Sequence, residues 1–247
     1  HENEKIKLFK KLEPIEVMRT LSDCIDLVVK EIYTRKVGLQ VSGISVIAVG
    51  GYGRREMSFY SDVDLMFLMG KSYDTGSDHI SEILHLLWDF HLDIGYSSRT
   101  ISEAIKIAKN DVESCTAMMD GRFLIGDEKV FSNFRKKLNS NRPHGLPEKL
   151  NSWRSQRIAN NASVQLLEPN VKESPGALRD IQALQWAIMS KADLDAVEDR
   201  WGDLLDEKDI KALEEAWKFL SAIRLHLHAE FDKKRDVLDA DAKINVS

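Results

Sequence analysis

The sequence is poor in cysteine, has no long apolar run and carries no surplus of positive charge. Its two cysteines, Cys24 and Cys115, stand far apart without Cys-x-x-Cys spacing; this argues against a zinc site and leaves reduced, buried thiols as the expectation. No apolar stretch approaches the roughly twenty residues of a membrane span. No charged-then-apolar leader opens the chain, so a cytoplasmic setting without a membrane partner is expected. Lys and Arg total 35 against 40 Asp and Glu, a formal charge of −5, which gives no basic footprint for nucleic acid. No internal repeat is visible. The 247 residues suffice for one or two domains with a substantial core. The first residue is His1 and not methionine, so a processed or shortened start is expected.

What is present is concentrated in residues 44–68, ISVIAVGGYGRREMSFYSDVDLMFL. Ile44, Val46, Ala48 and Val49 form a run of strand length that ends at Gly50-Gly51, where a bare backbone lets a bulky ligand approach. After ten further residues, Asp62-Val63-Asp64 opens a second apolar run, Leu65 to Met69. Residues i and i+2 of a strand share a face roughly 6.5 Å apart, so Asp62 and Asp64 can serve one site while Val63 faces the core. Two converging carboxylates repel unless a cation lies between them, and hard oxygen ligands suit Mg²⁺. A metal-bound phosphate is the natural third partner. Backbone N–H groups of Gly50 and Gly51 can meet its oxygens, and Arg54 and Arg55 add charge.

These residues resemble a known pattern. An apolar strand, Gly-Gly, ten residues and Asp-x-Asp opening a second strand are similar to the DNA polymerase β-like nucleotidyltransferase superfamily. The stretch GGYGRREMSFYSDVDL resembles its protein-PII uridylyltransferase branch. Two further stretches, LWDFHLDIGYSSRT (87–100) and LEPNVKESPGALRDIQALQW (167–186), resemble the same branch. The departures are Arg55 where the family usually has glycine, and Ser174 and Ala177 where its second signature is richer in glycine.

In chain order, Pro14 introduces a helix to about Arg35, with Ile15, Met18, Leu21, Ile25, Val28 and Ile32 at helical spacing. A polar turn region spans 70–78, and a helix from about Ile80 to His91 carries Asp89 at its end. Leu92-Asp93-Ile94 reads as a strand with one carboxylate on its open face, closed by Gly95. Residues 102–139 read as helices, and 140–147, with Pro143, Gly145 and Pro147, as a linker. Beyond it the chain reads as helical. Ser174-Pro175 is expected to cap and begin a helix, and a last helix runs from about Glu207 to Lys233. His226 and His228, two apart, diverge on a helix of 3.6 residues per turn and are not expected to share a metal.

The resemblance implies a third carboxylate on a neighbouring strand. Asp93 matches that acidic position, with Asp89 as competitor; Arg99, just beyond, reaches phosphate or pairs with a surface acid. Lys172, Arg179 and Asp180 gather at a helix start, an anion site on general grounds or a simple Arg-Asp pair between helices; the resemblance favours a role at the nucleotide. The expected nucleotide-binding set is thus Gly50, Gly51, Arg54, Ser61, Lys172, Arg179 and Asp180. The metal and catalytic set is Asp62, Asp64 and Asp93, holding two Mg²⁺ ions, with Mn²⁺ as a substitute.

The expected fold is α/β: a small mixed sheet with covering helices over 1–142, then an all-helical domain over 143–247 that closes a nucleotide cleft. The resemblance implies transfer of UMP from UTP to a tyrosine of a PII-type nitrogen-signalling protein. An adenylyltransferase of the same fold acting on glutamine synthetase, and a non-catalytic nucleotide-binding regulatory module, are the alternatives. The family's full-length enzymes also carry an HD hydrolase domain and ACT sensor domains. This chain has no room for either, so uridylyl removal and glutamine sensing are expected to be absent from it.

Overall fold

Pro14 opens the first helix, α1 (Pro14–Lys36), where a missing N–H costs nothing and φ is already set. The Glu16 carboxylate accepts from the Glu13 N–H 3.0 Å away and closes the turn. The computed structural model describes residues 12–38, 43–73, 78–161, 168–191, 194 and 205–246. Part of the expected turn at 70–78, residues 74–77, and Leu167 of the second signature lie outside that set.

The described residues divide into two compact units, one of 19–57 and 61–143, the other of 12–18, 58–60 and the chain from 144 onward. In the first unit β1 (Ile44–Ala48), β2 (Val63–Met69), β3 (Ile94–Thr100) and β4 (Arg122–Gly126) form one sheet in the order β3-β2-β1-β4. β1 pairs antiparallel with β2 and β4, while β2 and β3 run parallel with Val63 opposite Ile94. A parallel pair needs a crossover, and α3 (His79–Asp89) supplies it. Between β1 and β2 the glycines wind into one short turn of helix, α2 (Gly50–Gly53).

β1 is buried on both faces. On one, Ile44, Val46, Ala48, Leu65 and Phe67 pack with Val29, Ile32 and Tyr33 of α1 and Ile83, Leu84 and Leu87 of α3. After β3 come α4 (Ile101–Asn110), started by a Thr100–Glu103 capping box, α5 (Val112–Met119) and, beyond β4, α6 (Glu128–Asn141), which packs on β1, β2 and β4. The expectation of helices throughout 102–139 missed β4. Its five residues are too short a run for period to separate strand from helix; pairing to β1 decides it. Cys115 is buried as expected, whereas Cys24 is exposed on α1.

The second unit is helical. α7 (Leu146–Asn161) packs on α8 (Leu178–Met189), and α8 packs on α9 (Glu207–Phe231); α10 (Ala240–Val246) follows. Ile181, Leu184 and Ile188 of α8 meet Leu213, Ala216, Trp217 and Leu220 of α9. Ser174-Pro175 does not begin α8. The Ser174 hydroxyl accepts from the Asn170 N–H at 2.8 Å, and Gly176 takes φ +77, so helical geometry starts only at Leu178 with Ala177 as its cap. No helix among the described residues is long and apolar enough to cross a membrane.

Candidate active site

Asp64 occupies the second position of β2, half-buried, with Val63 before it in the core. Its carboxylate lies between two glycines. A β-carbon on Gly50 would stand 3.5 Å from Asp64 Oδ2, and one on Gly95 would collide with Oδ1. Gly95 is the β3 residue paired with Asp64, so only a residue without a side chain leaves that place open. Gly50 adopts φ +58, which glycine takes without strain. The Val49 N–H donates to the Asp64 carbonyl at 3.0 Å, so the end of β1, the glycine turn and the aspartate strand are tied at one point.

Asp62 and Ser61, both half-buried, precede β2. Asp93 falls one residue before β3 and not within it, and its side chain is exposed. Its carbonyl accepts the Val63 N–H at 2.8 Å, so the entries to the two strands that carry the acids are themselves bonded. Asp89 ends α3, as its sequence position suggested.

The glycine turn is anchored from behind. Asp26 of α1 accepts from Tyr52 Oη at 2.7 Å and from both Arg122 terminal nitrogens, at 2.5 and 3.0 Å. Burial, and then the Asp26 charge, push the Tyr52 hydroxyl well above its ordinary value, so it stays a donor. The first N–H groups of such a turn have no intrahelical acceptor.

Arg54 is buried and bonded to Glu56, at 2.7 Å, and to Asp120. Burial alone would lower its affinity for a proton, but the two acids raise it further, so it is permanently charged and committed to that network. Gly51 lies beside it, a β-carbon there being 3.8 Å from an Arg54 terminal nitrogen. Arg55 turns away to Asp23 of α1 at 2.8 Å, with φ +59. That left-handed backbone is a physical reason for glycine at this position. Neither Glu56 nor Asp120 was singled out in the sequence.

In the helical unit Lys172, Arg179 and Asp180 lie near the start of α8, but the acid does not pair with Arg179. Asp180 accepts from Arg154 at 2.7 Å, from Arg157 at 2.5 Å and from the Gly176 N–H at 2.8 Å. Burial would raise its pKa; the Arg154 bond, the Gly176 N–H and the two charges bring it below its ordinary value. Arg154 and Arg157, one helical turn apart on α7, were the missed partners, and their i, i+3 spacing was the available signal. Arg179 bonds Gln182 at 2.9 Å and Glu173 at 3.3 Å and lies over the Trp186 ring. Lys172 is half-buried, and burial first, then Arg224 and Arg179, lower its pKa against the opposing charges of Asp236 and Glu173.

The family model described as GlnD PII-uridylyltransferase matches residues 144–247. Over 231 residues, 90% of the chain, it is 33% identical to the bifunctional uridylyltransferase/uridylyl-removing enzyme of Novosphingobium aromaticivorans, of which it covers 25%. It is similar to the enzymes so named from Methylococcus capsulatus, at 32% identity over 87% of the chain and 25% of the relative, and from Caulobacter vibrioides, at 29% over 94% and 26%. The chain is thus similar to the GlnD PII-uridylyltransferase family, through its residues 144–247 and, at about 30% identity, through these relatives over most of its length. It spans about a quarter of the length of the curated relatives it matches.

In this chain the donors at the strand entries are hard oxygens, and two glycines lie around one of them. That chemistry fits a divalent ion such as Mg²⁺. Among the described residues no group of three or more His, Cys, Asp or Glu side chains could hold a metal ion. Asp93 thus joins Asp62 and Asp64 only in the proposal that follows.

Proposed function

We propose that this chain is a Mg²⁺-dependent nucleotidyltransferase that moves UMP from UTP to a tyrosine hydroxyl of a PII-type signalling protein. The observation that carries the reading is the Asp64 carboxylate seated between Gly50 and Gly95 beside the glycine turn. Similarity to the GlnD PII-uridylyltransferase model and to relatives named uridylyltransferases supports a uridylyl group as the moiety transferred and a PII-type protein as acceptor. A nucleotidyltransferase domain to residue 142, a helical domain from 143 and a cytoplasmic setting belong to the same reading.

Asp62 and Asp64, with Asp93, would hold the metal. When bound, Mg²⁺ supplies charge neutralisation and Lewis-acid polarisation of the phosphates. Gly50 and Gly51 offer backbone N–H groups to the triphosphate, with Ser61 beside Asp62. Arg54 supports the turn through Glu56 and Asp120 and adds its field there. Within the helical unit Lys172 and Arg179 supply positive charge suited to a nucleotide's anionic groups, with Asp180 fixing the start of α8. The acceptor oxygen bonds to the α-phosphorus, the bond to the β-phosphate oxygen breaks, and pyrophosphate leaves with its electron pair; Asp93 takes the acceptor proton.

The test is incubation with each nucleoside triphosphate, Mg²⁺ and a PII-type acceptor, followed by acceptor mass. A UMP adduct on tyrosine from UTP alone is expected. An AMP adduct would move the chain to the adenylyltransferase reading, and triphosphate binding without any adduct to a regulatory module.

A further inference from the structure

Residues 58–60 have no helix or strand to hold them, yet Ser58 is almost wholly buried. Side chains hold them instead. Ser58 Oγ lies 2.9 Å from Nδ1 of His228, whose ring is fully buried in α9. The other ring nitrogen, Nε2, lies 3.1 Å from Asp236 Oδ1, and that same oxygen accepts from Arg224 Nε at 2.8 Å. Two residues on, Tyr60 Oη donates to Asp232 at 2.6 Å, and its ring leans on His228 with centroids 6.0 Å apart.

The proton positions follow from the partners. Asp236 is ionised and can only accept, so His228 carries its proton on Nε2. Nδ1 is then an acceptor, and the Ser58 hydroxyl donates to it. Burial above all keeps His228 neutral, while Arg224 balances the Asp236 charge. The Asp236 segment is itself fixed, since its carbonyl accepts the Val171 N–H at 2.8 Å and Val237 bridges to Asn170. A serine, histidine and aspartate in line suggest a hydrolytic triad, but no substrate reaches a hydroxyl this buried, with a histidine wholly enclosed. The chain of bonds is built to hold.

What it holds runs straight into the site. Ser58 is four residues and Tyr60 two residues before Asp62. We propose that His228 is a positioning residue: through Ser58, and with Tyr60 on Asp232, it fixes segment 58–60 and so the approach of the backbone to Asp62 and Asp64. This rests on the nucleotidyltransferase reading for its effect on turnover, but not for the clamp itself.

The test uses the whole chain, with His228→Gln, Ser58→Ala and the hydroxyl-retaining Ser58→Thr, the Ser58 pair guarding against a His228 variant that fails to fold. Hydrogen exchange is read on peptides covering 57–64. Exchange there should rise about tenfold in Ser58→Ala and His228→Gln with the sheet amides of β1 unchanged, and return toward wild type in Ser58→Thr. In a transfer assay the same two variants should lose about tenfold in kcat with KM for the triphosphate nearly unchanged. Exchange over 57–64 that is unaltered in Ser58→Ala overturns the clamp, and faster exchange with unchanged kcat overturns its positioning role. A wild-type chain that transfers no nucleotide would count against the enzymatic reading, while the exchange result would still decide the clamp.

Discussion

Gly95 lies against the Asp64 carboxylate, so close that a β-carbon on Gly95 would overlap Oδ1. Gly95→Ala must therefore displace the carboxylate or spread β2 from β3. A misplacement of about 1 Å in a reacting site costs on the order of 10²-fold in rate. Turnover should fall by that order with little change in melting temperature, read by pyrophosphate release and a thermal melt on the same sample. Wild-type turnover in Gly95→Ala would mean that the place of Asp64 does not matter.

Arg54 is predicted to matter for folding as much as for nucleotide. Removing one partner of a buried ion pair leaves an uncompensated charge, at a cost of about 3–5 kcal/mol. Arg54→Ala removes the buried guanidinium that Glu56 and Asp120 both bond, so its urea midpoint should fall by that equivalent. A variant as stable as wild type that binds triphosphate weakly would instead make Arg54 a phosphate ligand alone.

Arg55→Gly should be close to neutral. A left-handed backbone costs a residue with a β-carbon about 1–2 kcal/mol, and glycine would relieve this. Against it stand an exposed pair with Asp23 worth about 0–1 kcal/mol and the roughly 0.5–1 kcal/mol of chain entropy that glycine adds to the unfolded state. Denaturation should place the variant within about 1 kcal/mol of wild type by that sum; a larger loss would give Arg55 a role beyond Asp23.

Acid should destabilise the chain in two stages. Burial holds His228 below its ordinary 6.5, so below that value the unfolded chain takes up a proton that the folded one refuses, and stability is lost as pH falls toward the folded pKa. Asp236 follows: burial alone would raise its pKa, but the His228 bond and Arg224 hold it well below 3.8. Its contribution is present above 3.8 and is lost as pH falls through the folded value. Asp236→Asn should be less stable than wild type at neutral pH, with the two denaturation midpoints converging as the pH drops. A gap that stays constant into acid would mean that Asp236 carries no charge in the folded chain.

Much of this was written locally. The alternation around Val63 and the break at Gly50-Gly51 marked β1 and β2, because burial and glycine geometry act over a few residues. β4 was lost because a five-residue run takes its identity from pairing with β1. The partners of Arg54 and Asp180 were lost for a similar reason. Asp120 is 66 residues from Arg54, and Arg154 is 26 residues from Asp180; no local period records which distant charge meets which. Ser174-Pro175 had the chemistry of a helix start, yet the Ser174 hydroxyl was engaged by Asn170.

The central claim is that the aspartates beside the glycine turn carry nucleotidyl transfer. The most direct measurement is acceptor mass after incubation of a PII-type protein with UTP, Mg²⁺ and either the wild-type chain or Asp64→Asn, both verified as folded. The account predicts a uridylyl adduct on the acceptor tyrosine with the wild-type chain and none with Asp64→Asn. An adduct formed at near-normal rate by Asp64→Asn, or none formed by the wild-type chain with any triphosphate, would contradict it.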